Sequence, residues 1–329
     1  MPGESPSKFQ QMDLPKMTKS NRVVSPFDAN VDAVFKQQIS SGIVKAAYQR
    51  IGLDVDRFFR DIDDIDIYEC PLTKYRFYYP YSLRGDDSFY EDLQRVQTKY
   101  YLSDKLEYDL ALEKLGDCFA VLEIGCGDGK FLQKLKDAGI NGFGLEFNDL
   151  AVQKCLSEGL QVKKESIESF AESNREKFDA VVLFQVLEHI SDISPFIEAA
   201  LSCVRKGGKL IFAVPDNSPY YKNFRIYLTL NLPPHHMGLW NAESFKNLEK
   251  MFNLHLESIQ YDDDYSSFPN YVYFLGDLLV SPFGAAYRNF LLRNLLIVLL
   301  LPYTIPIVAK MKLRAELRPH SIIAAFTKT

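Results

Sequence analysis

The chain has 329 residues, with 38 Lys and Arg against 43 Asp and Glu for a formal net charge of -5. That balance provides no overall basic field to draw the protein onto nucleic acid, so no nucleic-acid partner is expected. Hydrophobic residues at 47% and charged residues at 25% exclude general disorder and are enough to bury a core.

The five cysteines, Cys70, Cys118, Cys126, Cys155 and Cys203, fall without Cys-x-x-Cys spacing, and the opening MPGESPSKFQ has no apolar run of the secretory kind. Reduced thiols in a cytoplasmic protein are expected. Residues 1 to about 30 are poor in apolar side chains and are expected to form a mobile tail. From Val31 to about Phe59 apolar residues recur at helical spacing, predicting a helix or two broken at Gly52. IDIYECPLTKYRFYYPYS alternates like short strands around a turn, and GDDSFYEDLQRVQTKYYLSDKLEYDLALEKL reads as two helices. Residues 31–115 thus form an N-terminal extension, largely helical and rich in tyrosine, placed to cover a substrate.

From about residue 116 the pattern becomes strand, turn, helix, repeated. CFAVLEIG, INGFGLEF, LQVKK, FDAVVLFQ and KLIFAVP are predicted strands. KFLQKLKDAG and DLAVQKCLSEG are helices ended by Gly139 and Gly159, and ISPFIEAALSCVRKGG is a third. Strands alternating with helices predict an α/β fold, a mainly parallel Rossmann-like sheet that binds ligands at the carboxyl ends of its strands. A helical insertion is expected at about 265–315. Within it Asn294 to Ala309 carry no charge, but Pro302 and Pro306 interrupt the run and it is short for a membrane span. A buried cap helix and a face for peripheral membrane contact through 290–311 are both open readings. The final HSIIAAFTKT is strand-like and is expected to close the sheet edge.

The chemistry concentrates in VLEIGCGDGKF, where a glycine-rich turn between strand and helix lets backbone approach a ligand closely. Glu146 ends the next strand, where a carboxylate can accept hydrogen bonds from ribose hydroxyls. A dinucleotide would use both devices. The turn, however, lacks the third glycine of Gly-x-Gly-x-x-Gly, and Glu123 stands two residues before its first glycine. A carboxylate there repels pyrophosphate but suits the cationic amino acid and sulfonium of S-adenosylmethionine (SAM).

With VLEIGCGDG, GFGLEFND, FDAVVLFQVLEHI, VRKGGKLIFAVPD and PPHHMGLW in this order, the chain resembles the class I SAM-dependent methyltransferases, in the group that includes ubiquinone-biosynthesis-type and glycan-modifying enzymes. The resemblance implies a seven-stranded sheet with its last strand antiparallel and one SAM per domain. It also implies that Gly125, Cys126 and Gly127 line the methionine part of SAM, with Glu123 near its amino group. Glu146, Phe147 and Asn148 fall at the ribose, Glu165, Ser166 and Ile167 beside the adenine, and Gln185 and Val186 near the sulfonium. Glu188 and His189 correspond to residues that brace the loop.

His235 and His236, on a loop stiffened by prolines, are the candidate catalytic bases for a hydroxyl acceptor, with backbone hydrogen bonding as the competing role. Tyr100, Tyr101 and Trp240 are the candidate substrate contacts, with packing as their competing role. IYECPLTKYRFYYP resembles a zinc knuckle of some relatives but has Thr73 where the second cysteine would stand, so no metal is expected. The expected function is O-methylation of a sugar or glycan intermediate. A quinone, lipid-like or other small-molecule acceptor is the alternative, as is a SAM-binding regulatory protein without catalysis.

Overall fold

A computed structural model describes residues 22–96, 106–218, 229–262, 290–313 and 321–329. Tyr100 and Tyr101, most of the expected tail and the first part of the expected helical insertion lie outside the described residues.

The core is one seven-stranded sheet. Its strands are β6 (Ala120–Ile124), β7 (Asn141–Leu145), β8 (Gln161–Lys163), β9 (Phe178–Phe184), β10 (Val204–Pro215), β12 (Leu254–Tyr261) and β13 (Ser321–Lys328). They run in the order β12-β13-β10-β9-β6-β7-β8, and β13 pairs antiparallel to both of its neighbours. This is the expected mostly parallel sheet with its last strand reversed. The chain moves outward from β6 through β7 to β8 and then returns to β9 on the other side of β6, so the order reverses at the β6/β9 boundary. That is where an open α/β sheet leaves a crevice for ligands.

Near-continuous apolar runs such as VVLF in β9 are buried because helices cover both faces of the sheet. Those helices include α3 (Leu106–Leu115), α4 (Lys130–Asp137), α5 (Asp149–Ser157), α6 (Ile167–Ser173) and α7 (Ile193–Cys203). The start of β6 is tied to β9 by the Asp179 carboxylate, which accepts from the Phe119 and Ala120 amides at 2.8 and 2.9 Å and pairs with Arg205 at 2.5 Å. Two boundaries differ from expectation. VRKGG belongs to β10 rather than to α7, and β13 sits inside the sheet, with β12 as the edge.

The N-terminal extension differs more. Val24–Ser25 and Asp28–Asp32 form a paired hairpin, β1 and β2, inside the segment expected to be a tail. β3 (Val34–Ser40) is a strand where a helix was expected, followed by α1 (Ser41–Arg50), whose N-terminus the Ser40 side chain caps. β3 pairs along β4 (Asp64–Glu69), and that ladder overrides a spacing that resembles helix because it continues into α1. β5 (Arg76–Tyr79) follows, then α2 (Asp87–Val96). The extension is therefore a four-stranded sheet with helices. Its fourth strand is β11 (Gly238–Leu239), which comes from the far side of the core domain in sequence. Its register, Gly238 opposite Phe77 and Leu239 opposite Arg76, sews the segment after the two histidines to the extension.

After β11, α8 (Ala242–Leu248) opens with a capping box built by Asn241 and Ser244. α9 (Phe290–Leu313) continues through Pro302 and Pro306, which the sequence reading took as interruptions. It buries Ile297 and Thr304 but exposes Leu299 by 62% and Tyr303 by 68%. Among the described residues no helix is long and apolar enough to cross a membrane.

Candidate cofactor and acceptor site

The glycine-rich turn follows β6 directly. Gly125 and Cys126 donate to the Leu145 carbonyl at 2.8 and 3.1 Å, which fixes the turn against the end of β7. Gly125 has φ +72°, and a Cβ there would lie 2.5 Å from Val186 Cγ2, so only glycine fits. The Cys126 side chain packs under β7, where burial pushes its thiol pKa up, and its backbone is what the turn presents.

Glu146 binds the turn from the other side. Its carboxylate accepts from the Gly127 amide at 2.8 Å, the Phe147 amide at 2.7 Å and the Asn148 amide at 2.8 Å. These charge-assisted bonds hold the ends of β6 and β7 at a fixed separation. Asn148 caps α5 by accepting from the Ala151 amide at 3.0 Å and donates to Gln94 of α2 at 3.2 Å. Ser166 caps α6 in the same manner, and Glu165 pairs with Lys163 at 2.7 Å.

Gln185 leaves β9 with φ +57°, an uncommon conformation for a residue with a side chain. Its side-chain amide donates to Glu107 of α3 and to Ser321 of β13, both at 3.0 Å. Sequence reasoning missed Glu107 and Ser321, since nothing in their local context marks them. Glu123 needs a correction. It is buried beside Tyr108 and Cys126, behind the cleft wall and not on it, so it lies beneath the turn and is not a surface contact.

The opposite end of the cleft is built by two loops. Leu187–His189 is a short 3-10 turn after β9, and the Leu232–His236 segment precedes β11. Met237 donates to the Glu188 carbonyl at 2.8 Å and joins them. Tyr48 and Tyr78 donate to the Leu232 and Asn231 carbonyls at 2.8 and 3.0 Å, so the N-terminal extension clamps the histidine loop. His189, His235 and His236 pack ring against ring with centroids 4.5 to 4.9 Å apart. Burial depresses the His189 pKa to about 4 and holds His235 well below the usual imidazole range, so both are neutral at neutral pH. Trp240 is also corrected. It is fully buried between Tyr75 and Phe245, is absent from the cleft wall, and serves as a core side chain instead of a substrate contact.

One cleft of about 2210 Å³ connects the two ends. Single ligands usually occupy roughly 300–1,000 Å³, so this volume accommodates a cofactor and an acceptor side by side. Gly125, Cys126, Gly127, Glu146, Phe147, Asn148, Glu165, Ser166, Ile167, Gln185 and Val186 all line it, as do His235 and His236. The cradle that a Cβ would fill, with a carboxylate at the end of the second strand and no pyrophosphate-compatible third glycine, fits SAM. The sheet order and this switch-point crevice define a class I SAM-dependent methyltransferase.

The chain belongs to the methyltransferase-domain family, whose model matches residues 94–259. It is 28% identical over 155 residues to a ubiquinone biosynthesis O-methyltransferase of Pseudomonas fluorescens, covering 41% of this chain and 67% of that protein. Over 105 residues it is 34% identical to a protein of the same description from Pseudomonas putida, covering 30% of this chain and 45% of that one. The chain thus spans between about half and two thirds of the curated relatives it matches. A SAM-dependent methyltransferase structure from Archaeoglobus fulgidus aligns over 74% of this chain and 100% of its own, with TM-score 0.45 and 18% identity.

Proposed function

We propose that the protein methylates a hydroxyl of a polar, sugar-type acceptor bound between the N-terminal extension and the sheet. The observation that carries this reading is the composition of the acceptor end, where Arg57, Arg60, Arg84, Asp87, Tyr90 and Asp192 line the cleft beside the histidines. A ring bearing several hydroxyls finds donors and acceptors on that wall, and Phe58, Ile62, Ile190, Phe196 and Leu230 in the same cleft offer apolar surface to its faces.

SAM supplies a methyl group on a sulfonium that is already electrophilic. The protein's contribution is alignment, exclusion of water and a hydrogen bond to the attacking hydroxyl. An imidazole lone pair can accept from such a hydroxyl, and His235 and His236 are the proposed residues for that role. The clamp from Tyr48 and Tyr78 holds them in place before substrate arrives. Gln185, fixed by Glu107 and Ser321, sets the wall between the cofactor and acceptor ends.

The relatives' description, ubiquinone biosynthesis O-methyltransferase, supports a second reading with a phenolic acceptor. Incubation with SAM carrying a labelled methyl group, against a panel of sugars, nucleotide sugars and catechols, separates the two by mass spectrometry. Label in the sugars supports the proposal, and label confined to catechols overturns it. Calorimetric SAM binding without transfer to any acceptor would indicate a regulatory protein.

A further inference from the structure

We propose that His189, His235 and His236 form a binding site for a divalent late first-row metal ion, with zinc as the reference ion. The proposal shares His235 and His236 with the proposed function: an ion held there would take the lone pairs otherwise offered to the acceptor hydroxyl, and the ion would meet that hydroxyl in their place.

Three imidazoles are brought together from two loops, and one ring nitrogen of each lies within 4.8 Å of the other two. At Zn–N distances of about 2.0–2.1 Å, ligand nitrogens of a tetrahedral site stand roughly 3.4 Å apart. Closing the cluster to that spacing asks about 1 Å of each ring. Imidazole donors suit zinc, cobalt, nickel and copper and disfavour calcium and magnesium, which prefer oxygen.

The tautomers agree with this assignment. His189 Nδ1 lies 2.7 Å from the His235 carbonyl, His235 Nδ1 lies 2.9 Å from the Leu230 carbonyl, and His236 Nδ1 lies 2.8 Å from Asn231 Oδ1. An oxygen of this kind accepts, so Nδ1 carries the proton and Nε2 the lone pair in His235 and His236, while the His189 ring also meets the Gln185 carbonyl and must give up one of its two carbonyl partners to ligate. Donation of the second ring N–H to a carbonyl is the usual way a ligating imidazole is oriented. Glu188 Oε1 lies 4.0 Å from His236 Nε2, about 0.6 Å beyond the roughly 3.4 Å that separates two ligand atoms on a tetrahedral ion. A carboxylate at that distance can complete the ligand set or balance the charge of the ion.

The cluster is also held in advance. The loop bond from Met237 to Glu188, the Tyr48 clamp on Leu232 and the Gly85 amide donating to the Pro234 carbonyl at 2.8 Å restrict both ligand-bearing segments. The cluster faces the cleft, so an ion there has an open coordination position on the acceptor side. Sequence reading sought cysteine ligands close together in the chain and passed over histidines that become neighbours only after folding.

The test is titration of chelator-treated full-length protein with Co²⁺, followed by the visible absorption of the bound ion. One equivalent should bind with the intense band of a low-coordinate nitrogen site, and Zn²⁺ should displace it. His189→Ala and His236→Gln should each weaken binding more than tenfold while S-adenosylhomocysteine still binds, which verifies folding. A measurement free of variants is available in the imidazole nitrogen NMR spectrum, since the chain has five histidines. Zn²⁺ should shift three of them together. Absence of a Co²⁺ band, an undiminished band in both variants, or Zn²⁺ shifts restricted to His255 or His320 would each overturn the assignment.

Discussion

Replacing Gly125 by alanine should cost this protein both stability and cofactor affinity, by an amount that follows from two separable effects. The first is backbone strain. At φ +72° an L-residue is disfavoured by about 1–2 kcal/mol. Gly139, with φ +75° and nothing within 4 Å of a built Cβ, isolates that effect, so Gly139→Ala is the matched control. The second is the collision of the new methyl with Val186 Cγ2 at 2.5 Å. Overpacking of this kind costs about 1–3 kcal/mol. Gly125→Ala should therefore lose about 1–3 kcal/mol more than Gly139→Ala in urea unfolding. Val186 stands on the cleft wall, so its displacement should also weaken S-adenosylhomocysteine binding by about 10- to 100-fold, at one decade per 1.4 kcal/mol. Calorimetric titration measures this, and Val186→Ala in the Gly125→Ala background should recover part of the loss. Equal destabilisation of the two alanine variants, with unchanged ligand affinity in both, would refute the reasoning.

Glu146→Ala removes the acceptor of three backbone amides at the edge of the cleft. At roughly 1.5–3 kcal/mol for a charged hydrogen bond, S-adenosylhomocysteine affinity should fall at least about tenfold, with Glu146→Gln intermediate; calorimetric affinity within twofold of the parent would remove Glu146 from the cofactor site. Trp240→Ala should cost about 3–5 kcal/mol in urea unfolding, as expected for a truncated core aromatic. Unchanged stability combined with a raised KM for the acceptor would instead restore Trp240 as a substrate contact.

Legibility in the sequence tracked how local each signal is. The glycine turn, the capped helices α5 and α6 and the apolar strands of the core are encoded by residues near one another in the chain, so spacing alone reveals them. The hairpin of β1 and β2 and the strand β3 escaped the sequence reading for the opposite reason. β3 is a strand because β4 pairs with it, and α1 lends its helical spacing to the segment before it. Trp240 was misassigned because an aromatic after two histidines looks the same in sequence whether it faces a cleft or a core.

The sequence by itself determined that this chain folds as an α/β domain with a SAM turn at the end of its first core strand. Alternation, chain-local glycines and the Glu146 carboxylate at the end of the second core strand carry that message without help from distant residues. Only the tertiary structure decided how the acceptor end is built. β11 joins a sheet whose other strands precede it by more than a hundred positions, Gln185 is set by Glu107 and Ser321, and three histidines from two loops share one wall. Such contacts arise from strand order and crossover at the β6/β9 boundary, and no spacing along the chain records which loops that crossover will bring together.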